Sequence, residues 1–476
     1  MKKNLTLLIF ICCFCLFETS KAQTLTLKKG IINDSLPVSD SISETYSLVL
    51  PTYFDSSKEW PVILLTDLQK NEKKYTFILR NIVEKYGYLL VVPNNLNDLL
   101  SLEENIQIAE RTLTKIKTVI PVDLNRVYLS GFNESASFAS SLAITNKTVN
   151  GVLCFDAPVE RKGSPEIKRQ IHFITVSSDH NQDYVKFFDA RRTLNNQGVN
   201  NQLLIYDGQN TENALASIDL AFEIFTLTAM AKGLIPIDTE FVNTNYSKNI
   251  AKIEALINAN EMVKANNHIL AIVRAYEGLT DIQYLNNKGQ IIKVTNSFQV
   301  EQMRRVNISY NERLLREDFF YSLYEDIDNH DYKNLGWWTY QIQLLNTIHV
   351  DDDELGLLSK KRLLSYIDFL VEASIEEINE SKENLENKEG LLFLAMLKTI
   401  INPKDFEGYK TVITLASNKG DYETALFYVE ELLKAGFKDK KALYEIENTA
   451  LLRITPEFNA LVQEYLNDAR YTIVEQ

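Results

Sequence analysis

The sequence feature that most constrains the fold is the segment at residues 126–138, which reads RVYLSGFNESASF. Residues 127–130 combine β-branched, aromatic and aliphatic side chains without helical spacing, which predicts a buried strand. Small residues from Ser135 onward allow a helix to pack closely against that strand. Gly131 and Asn133 lie between the two. The segment therefore predicts a strand, a tight turn and a helix, with Asn133 at the apex of the turn.

The first half of the chain, residues 23–235, alternates apolar strands with amphipathic helices. Polar and apolar residues alternate over residues 45–50, directly before Pro51. This alternation predicts an antiparallel edge strand. Continuous apolar runs are typical of strands buried on both faces, and they occur at 61–66, 89–93, 152–155, 171–176 and 202–206. Helical spacing predicts helices over 75–86 and 102–120. We therefore predict a mainly parallel sheet with helices on both faces, an α/β fold whose ligand sites lie at the carboxyl ends of the strands.

The second half, residues 236–476, carries helical periodicity throughout. Its clearest unit is residues 406–437, which resembles the turn and second helix of a tetratricopeptide repeat, with Ala425 as the small residue at the helix contact. Ile413 departs from the pattern, because a glycine is usual there. One clear repeat is too few for a stable array, which needs about three. We predict a degenerate, all-α helical-repeat domain.

The first twenty-two residues have the pattern of a signal peptide. Lys2 and Lys3 precede an apolar run at residues 5–17, and small residues precede a predicted cleavage before Gln23. Cys15 follows a large residue, which disfavours lipidation. The sequence predicts no later transmembrane segment. We therefore expect an exported protein, periplasmic or secreted, that is soluble after cleavage.

Composition narrows the classes of partner. The formal net charge of -14 argues against nucleic acid and anionic lipid as main partners, because both favour a basic surface. The hydrophobic share of 45% is too high for a disordered chain. Of the four cysteines, only Cys154 lies beyond the predicted cleavage site. We expect it to be buried in the core without a disulfide.

Three stretches of the first half resemble the α/β-hydrolase superfamily, in its bacterial esterase and polyester-depolymerase-like branch. They are residues 60–67, which resemble the strand before the oxyanion loop, residues 122–132, which resemble the approach to the nucleophile, and residues 177–179, which follow a strand where the family places its acid. The resemblance implies that residues 131–135 form a nucleophile elbow, written Gly-x-Ser-x-Gly in the family. It covers a little under half of the chain.

The resemblance also implies three triad positions, in the order nucleophile, acid and base. Asn133 stands at the nucleophile position and cannot deliver an oxygen nucleophile, although asparagine tolerates the positive φ of the apex. Asp179 stands at the acid position. Gln209 or Asn210 stands at the base position, and neither accepts a proton near neutral pH. The sequence therefore predicts a vestigial triad.

The predicted oxyanion region consists of Asp67, Leu68 and Glu134. A carboxylate at Glu134 would repel a developing oxyanion. Alternatives remain open at this point. Ser130 or Ser135 could replace the nucleophile and His180 or His268 the base, and deamidation of Asn133 would give an aspartate nucleophile that still lacks a base.

Cofactor and metal motifs are not predicted. The acidic run at residues 351–354 beside His349 is explained by the positive end of a helix, and Trp337 and Trp338 are expected in a core. We predict an exported pseudo-hydrolase that binds a protein, peptide or glycan through its cleft and its helical domain. The alternative is an active carboxylic-ester hydrolase with displaced catalytic residues.

Overall fold

The computed structural model describes residues 26–159, 171–208, 210–347, 354–380 and 386–467, so the predicted signal peptide lies outside the described residues. Eight strands form one sheet in the order β1-β2-β4-β3-β5-β6-β7-β8. Their bounds are β1 Ile32–Ser39, β2 Ile42–Val49, β3 Trp60–Thr66, β4 Leu89–Pro93, β5 Val122–Phe132, β6 Gly151–Phe155, β7 His172–Ser178 and β8 Asn201–Tyr206.

Sixteen α-helices occur in the described residues. Those that alternate with the strands are α1 Glu72–Tyr86, α2 Leu102–Val119, α3 Glu134–Thr145, α4 Tyr184–Asn196 and α5 Thr211–Ala231. After them come α6 Thr239–Asn258, α7 Met262–Tyr276, α8 Gln283–Lys293, α9 Asn296–Asn329, α10 Leu335–Asn346, α11 Glu354–Glu380, α12 Glu386–Ile401, α13 Phe406–Lys419, α14 Tyr422–Lys434, α15 Lys440–Glu445 and α16 Pro456–Leu466.

The strand directions confirm the predicted fold class. β3 pairs in parallel with β4 and β5, and β7 pairs in parallel with β8, whereas β2 is antiparallel to β1 and β4. The strand before Pro51, β2, was predicted to lie at the edge of the sheet. That prediction was wrong, because β1 pairs with β2 and is itself the edge strand. The sequence did not predict β1. Its polar and apolar residues do not alternate regularly, Pro37 lies within it, and its pairing with β2 has two register shifts. The fold is a mainly parallel α/β sheet followed by a large helical region.

The chain divides into two compact units, Met1–Val152 and Leu153–Gln476. In the first unit, β3 is buried along its whole length, as its continuous apolar run predicts. α2 begins at a capping box in which Ser101 accepts from the Glu104 N–H and the Glu104 side chain accepts from the Ser101 N–H. Pro121 follows the end of this helix, since proline cannot continue it. The end of α2 at Val119 is followed by β5, the strand that leads into the predicted elbow.

The second unit holds β6, β7 and β8 together with the helical region, and no strand follows β8 in the described residues. The predicted boundary at residue 235 stays a prediction. One helical core is built around Trp338, Phe319 and Phe393. Trp338 is fully buried, and its indole N–H donates to the Asp326 carboxylate at 2.8 Å. This tryptophan is therefore part of the core.

The predicted repeat unit forms a helix pair, α13 and α14. Gly420 ends α13 at φ 81°, and the Asp421 carboxylate caps α14 by accepting from the Thr424 N–H. Ala425 is fully buried in the shared core, as its small size suggested. The helical region is thus present, and its relation to tetratricopeptide repeats stays a prediction.

Helix α5 is the one described helix long and apolar enough to cross a membrane by length and composition, with 56% of the qualifying window buried. The prediction that no segment after the signal peptide is long and apolar enough to cross a bilayer was therefore wrong in terms of length and composition. Residues such as Phe222, Ile224 and Phe225 are almost fully buried in the protein core. A buried core helix of a globular domain meets the same length and composition criteria.

Candidate functional site

The predicted elbow has the backbone geometry of a strained apex. β5 ends at Phe132, α3 begins at Glu134, and Asn133 between them has φ 50° and ψ -126°. Such positive-φ conformations outside the left-handed helical region are strained, at about 1–3 kcal/mol each. The Asn133 side chain makes no capping hydrogen bond to α3, and the residue is exposed. An amide therefore stands at the exposed apex, which is the position that the sequence predicted for the nucleophile.

Gly131 is required by the close approach of α3 to β5. A Cβ atom at this position would lie 2.3 Å from the Ser135 carbonyl oxygen and 2.6 Å from the Ala136 nitrogen. Both contacts are with backbone atoms, which cannot rotate away. The Thr66 hydroxyl holds the same region by donating to the Ser130 and Ser135 carbonyls at 3.0 and 2.9 Å. The elbow is thus a tightly packed turn.

The predicted oxyanion region is occupied by the protein's own groups. The Leu68 N–H donates to the Ser135 hydroxyl at 2.9 Å, and the Gln69 side-chain amide donates to the Glu134 carboxylate at 2.7 Å. Ser135 stands at the second glycine position of the elbow pattern, which is why its hydroxyl reaches this loop. Asp67 beside it is buried. The Leu68 N–H, a donor in the predicted oxyanion region, is therefore already engaged within the protein.

The two candidate replacement serines are both buried. Ser130 is fully buried in β5, and its hydroxyl has no hydrogen-bond partner in the part of the chain that the structure describes. Ser135 is 2% exposed and its hydroxyl bonds to Leu68. Neither hydroxyl lies at the exposed apex, so neither is placed to attack a substrate.

The predicted acid, Asp179, follows β7 and is buried. Its Oδ1 accepts from the Gly208 N–H at 3.0 Å, and Nε2 of His180 lies 3.8 Å from the same oxygen, beyond hydrogen-bond distance. Of the two base candidates, Gln209 lies outside the described residues. The Asn210 side chain caps α5 by accepting from the Glu212 N–H at 2.8 Å. Asn210 thus has a structural role.

One further carboxylate was missed by the sequence analysis. Asp156 follows β6 with φ 56° and accepts from the Ser177 hydroxyl at 2.8 Å and from the Ser178 N–H at 3.3 Å. Burial raises the pKa of its carboxyl group. The position directly after the apolar run at 151–155 is the signal that could have identified it, since this is the carboxyl end of a strand.

Two histidines are buried and held neutral. His172 bonds to the Gln202 side chain, and burial lowers its pKa to about 4. Nε2 of His268 lies 2.8 Å from the Asn249 side-chain oxygen, and burial lowers the pKa of His268 to about 3. A catalytic base near neutral pH needs a pKa near the working pH. Neither histidine meets that condition.

These two lowered pKa values predict a loss of stability in mild acid. The unfolded chain takes up protons near pH 6.5 while the folded chain does not, so stability is full above pH 7 and falls as the pH falls toward 4. Each histidine should cost about 1.4 kcal/mol at pH 5.5. Urea unfolding at pH 7.5 and 5.5 measures this, and His172→Gln should reduce the difference by about that amount. An unchanged difference in the variant would contradict it.

The loop that carries Asp179 is held by the helical region. Arg362 donates from Nη1 to the Asp179 carbonyl at 2.8 Å, and its guanidinium lies 4.4 Å from the centre of the Tyr184 ring. Arg362 also forms a two-pronged ion pair with Glu312, and the two side chains are 5% and 1% exposed. The acid loop is therefore fixed by a buried ion pair from α9 and α11.

No group of three or more His, Cys, Asp and Glu side chains is arranged to hold a metal ion within the described ranges. Most of the acidic run beside His349 lies outside those ranges. Cys154 is buried and forms no disulfide.

No family model matches this chain, and no curated protein matches its sequence. Similar solved structures include FphF, a fluorophosphonate-binding serine hydrolase of Staphylococcus aureus, with 12% identity, a TM-score of 0.32, and coverage of 41% of this chain and 97% of that chain. An esterase of Pyrobaculum calidifontis has 10% identity, a TM-score of 0.35, and coverage of 43% and 87%. Esterase B from Lactobacillus rhamnosis has 11% identity, a TM-score of 0.35, and coverage of 42% and 87%. At these identities the likeness concerns the fold alone.

Proposed function

We propose that this chain is an exported hydrolase-fold protein that has lost acyl-transfer chemistry and acts as a binding or scaffold protein. Asn133 carries the proposal, because an amide occupies the strained apex of an otherwise intact elbow. Strain at such a position persists only where the surrounding structure imposes it. Here the turn is retained without the group that it would present to a substrate.

The surroundings of the apex support the same proposal. Oxyanion stabilisation requires donors that point at the developing charge, whereas the Leu68 N–H is engaged by Ser135. The Glu134 carboxylate adds negative charge at the start of α3. At the base position, the Asn210 side chain caps a helix. Loss of single triad members lowers the rate by about 10⁴- to 10⁶-fold, and two of the three positions hold amides.

The partner proposed is a protein, peptide or glycan outside the cytoplasm, in the periplasm or the medium. The N-terminal sequence supports export, and the net charge of -14 argues against nucleic acid. The paired helices α13 and α14 are the type of unit that repeat proteins stack to build binding surfaces. The helical region is therefore the proposed docking module.

A fluorophosphonate probe tests the loss of chemistry, because it labels activated serines. The purified protein and the variant Asn133→Ser are each expected to remain unlabelled and to show no ester hydrolysis. An active serine hydrolase of the same fold serves as the positive control. Labelled Ser130 or Ser135, with turnover that its mutation abolishes, would establish the alternative, an ester hydrolase with displaced residues. Turnover gained by Asn133→Ser would show that another residue supplies the base.

A further inference from the structure

Helix α9 carries a second apolar face, which the folded chain leaves in solvent. Its first face is buried at Phe319 and Leu323, which belong to the helical core around Trp338. The exposed apolar residues of α9 are Val300, Met303, Val306, Tyr310, Leu314 and Tyr321. Each of them is between 43% and 69% exposed. We call these six residues the apolar stripe.

The apolar stripe runs along one side of the helix. At 100° per residue its six members lie within about 60° of Met303, and the buried Glu312 lies on the opposite side. Successive members are three, four or seven residues apart, which is the spacing at which two helices pack side by side. Contiguous exposed apolar surface of this kind marks a site of interaction. The spacing indicates that the partner is another helix.

The area of the apolar stripe fits an association of moderate strength. Complete burial of one such side chain removes on the order of 100 Å² of apolar surface, so two half-exposed stripes offer on the order of 700 Å² together. Apolar atoms make up about 60% of a protein–protein interface. Two stripes therefore supply the apolar part of an interface of about 1,200 Å², which is the lower limit for specific, stable complexes.

The charges beside the apolar stripe favour an antiparallel second copy of α9. Arg304 and Asp318 are exposed and flank the same side of the stripe, at about 100° and 60° from Met303. A two-fold axis through Tyr310 places position 304 opposite position 316 of the second copy, so Arg304 and Asp318 are offset by about 3 Å along the helix. A parallel pair would place each residue opposite its own copy, and like charges would repel.

The same two-fold axis pairs the apolar residues of the two copies, with Tyr310 facing itself. The other facing pairs are Val306 with Leu314, and Val300 with Tyr321 to within one residue. Met303 lies opposite Glu317, a charged residue within this face. The exposed amide of Gln302 beside Met303 lies on the same side and can donate to that carboxylate. The exposed face of α9 is therefore complementary to itself.

We propose that this protein forms an antiparallel dimer with a second copy of itself, in which the two α9 helices pack along their apolar stripes. Such an interface uses the same residues in both copies, so the assembly closes at two chains. This inference goes beyond the proposed function, because it requires neither the loss of catalysis nor a bound ligand.

Sedimentation equilibrium of the purified protein tests the proposal at concentrations from about 1 to 200 µM. We expect a reversible equilibrium between monomer and dimer, with a Kd of about 1–100 µM, since the interface is at the lower limit of size. A monomer at every concentration would overturn the proposal, and so would an assembly larger than a dimer.

Tyr310→Lys locates the interface, because it would bring two ammonium groups together at the two-fold axis. The Kd of the dimer should rise at least about tenfold. The melting temperature of the monomer, measured below that Kd, should stay unchanged because the side chain is exposed. Phe427→Lys is the matched control, since Phe427 is an exposed aromatic residue of α14 and should not affect the Kd. A dimer that tolerates Tyr310→Lys would refute the apolar stripe as its interface.

A charge exchange tests the antiparallel orientation. Arg304→Glu should weaken the dimer about fivefold, because it sets like charges against Asp318 of the second copy. Adding Asp318→Arg should restore the parent Kd, since opposite charges face each other again. In a parallel dimer the exchange would rescue nothing, so absence of rescue would contradict the proposed arrangement. Labelling by a fluorophosphonate bears only on the loss of catalysis, and sedimentation bears only on the dimer.

Discussion

Replacing Arg362 by methionine is expected to lower the free energy of unfolding by about 3–5 kcal/mol, because Glu312 would keep its charge in a buried site without a partner. The two side chains are almost fully buried, so solvent screens their interaction little. The variant also removes the hydrogen bond to the Asp179 carbonyl and the contact with Tyr184. Guanidinium titration, followed on the transition of the second unit, measures the change.

A double-mutant cycle separates the interaction energy of the Arg362–Glu312 pair from the other effects of each substitution. Combining Arg362→Met with Glu312→Leu should recover much of the lost stability, since replacing a whole buried pair is often nearly neutral. The control is Arg313→Met, which breaks the exposed pair with Asp189, whose side chains are 47% and 45% exposed. That change should cost less than about 1 kcal/mol. A similar loss in Arg362→Met and Arg313→Met would contradict the buried ion pair.

Gly131→Ala is expected to destabilise the first unit by about 3 kcal/mol or more, because overpacking against atoms that cannot move is costly. The added methyl group would lie 2.3 Å from the Ser135 carbonyl oxygen. β5 and α3 would have to separate, and the Thr66 hydrogen bonds to both would weaken. Thermal unfolding followed by circular dichroism measures the loss.

Gly336→Ala is the matched control for that variant. Gly336 lies in α10, and a Cβ atom there would meet nothing within 4 Å. The change should leave stability unchanged or raise it by up to about 1 kcal/mol, since alanine is the better helix former. Equal effects of the two glycine substitutions would show that the close approach at the elbow is not what requires Gly131.

Local chain geometry positions Asn133, whereas long-range contacts position Asp179. The conformation of Asn133 is set locally, by a buried strand that ends and a helix that begins within three residues. The position of Asp179 depends on residues far along the chain, because Arg362 and Gly208 bind its loop. Sequence spacing predicted the turn at Asn133, and it could not predict the contacts that hold the Asp179 loop. A contact between residues 183 positions apart has no periodic signal.

A cavity that borders β8 illustrates the same limit. Arg191, Lys252 and His268 lie on three different helices, and each has an ordinary helical context in the sequence. Only the packing of those helices brings the three side chains to one cavity. Whether a lysine forms an ion pair depends on its neighbours in space, as Lys264 shows with Asp207 and Glu261.

The sequence by itself determined the strand–turn–helix around Asn133, the mainly parallel sheet and the helical second half, because hydrophobic periodicity and turn residues act over short distances. It also placed Asn133, whose amide is not an oxygen nucleophile, at the apex of that turn. The tertiary structure decided that β1 forms the edge of the sheet, that the Ser135 hydroxyl accepts a hydrogen bond from the Leu68 N–H, and that Arg362 and Glu312 form a buried ion pair. These features depend on which distant groups meet after folding, and desolvation then fixes the free-energy cost of each unpaired charge.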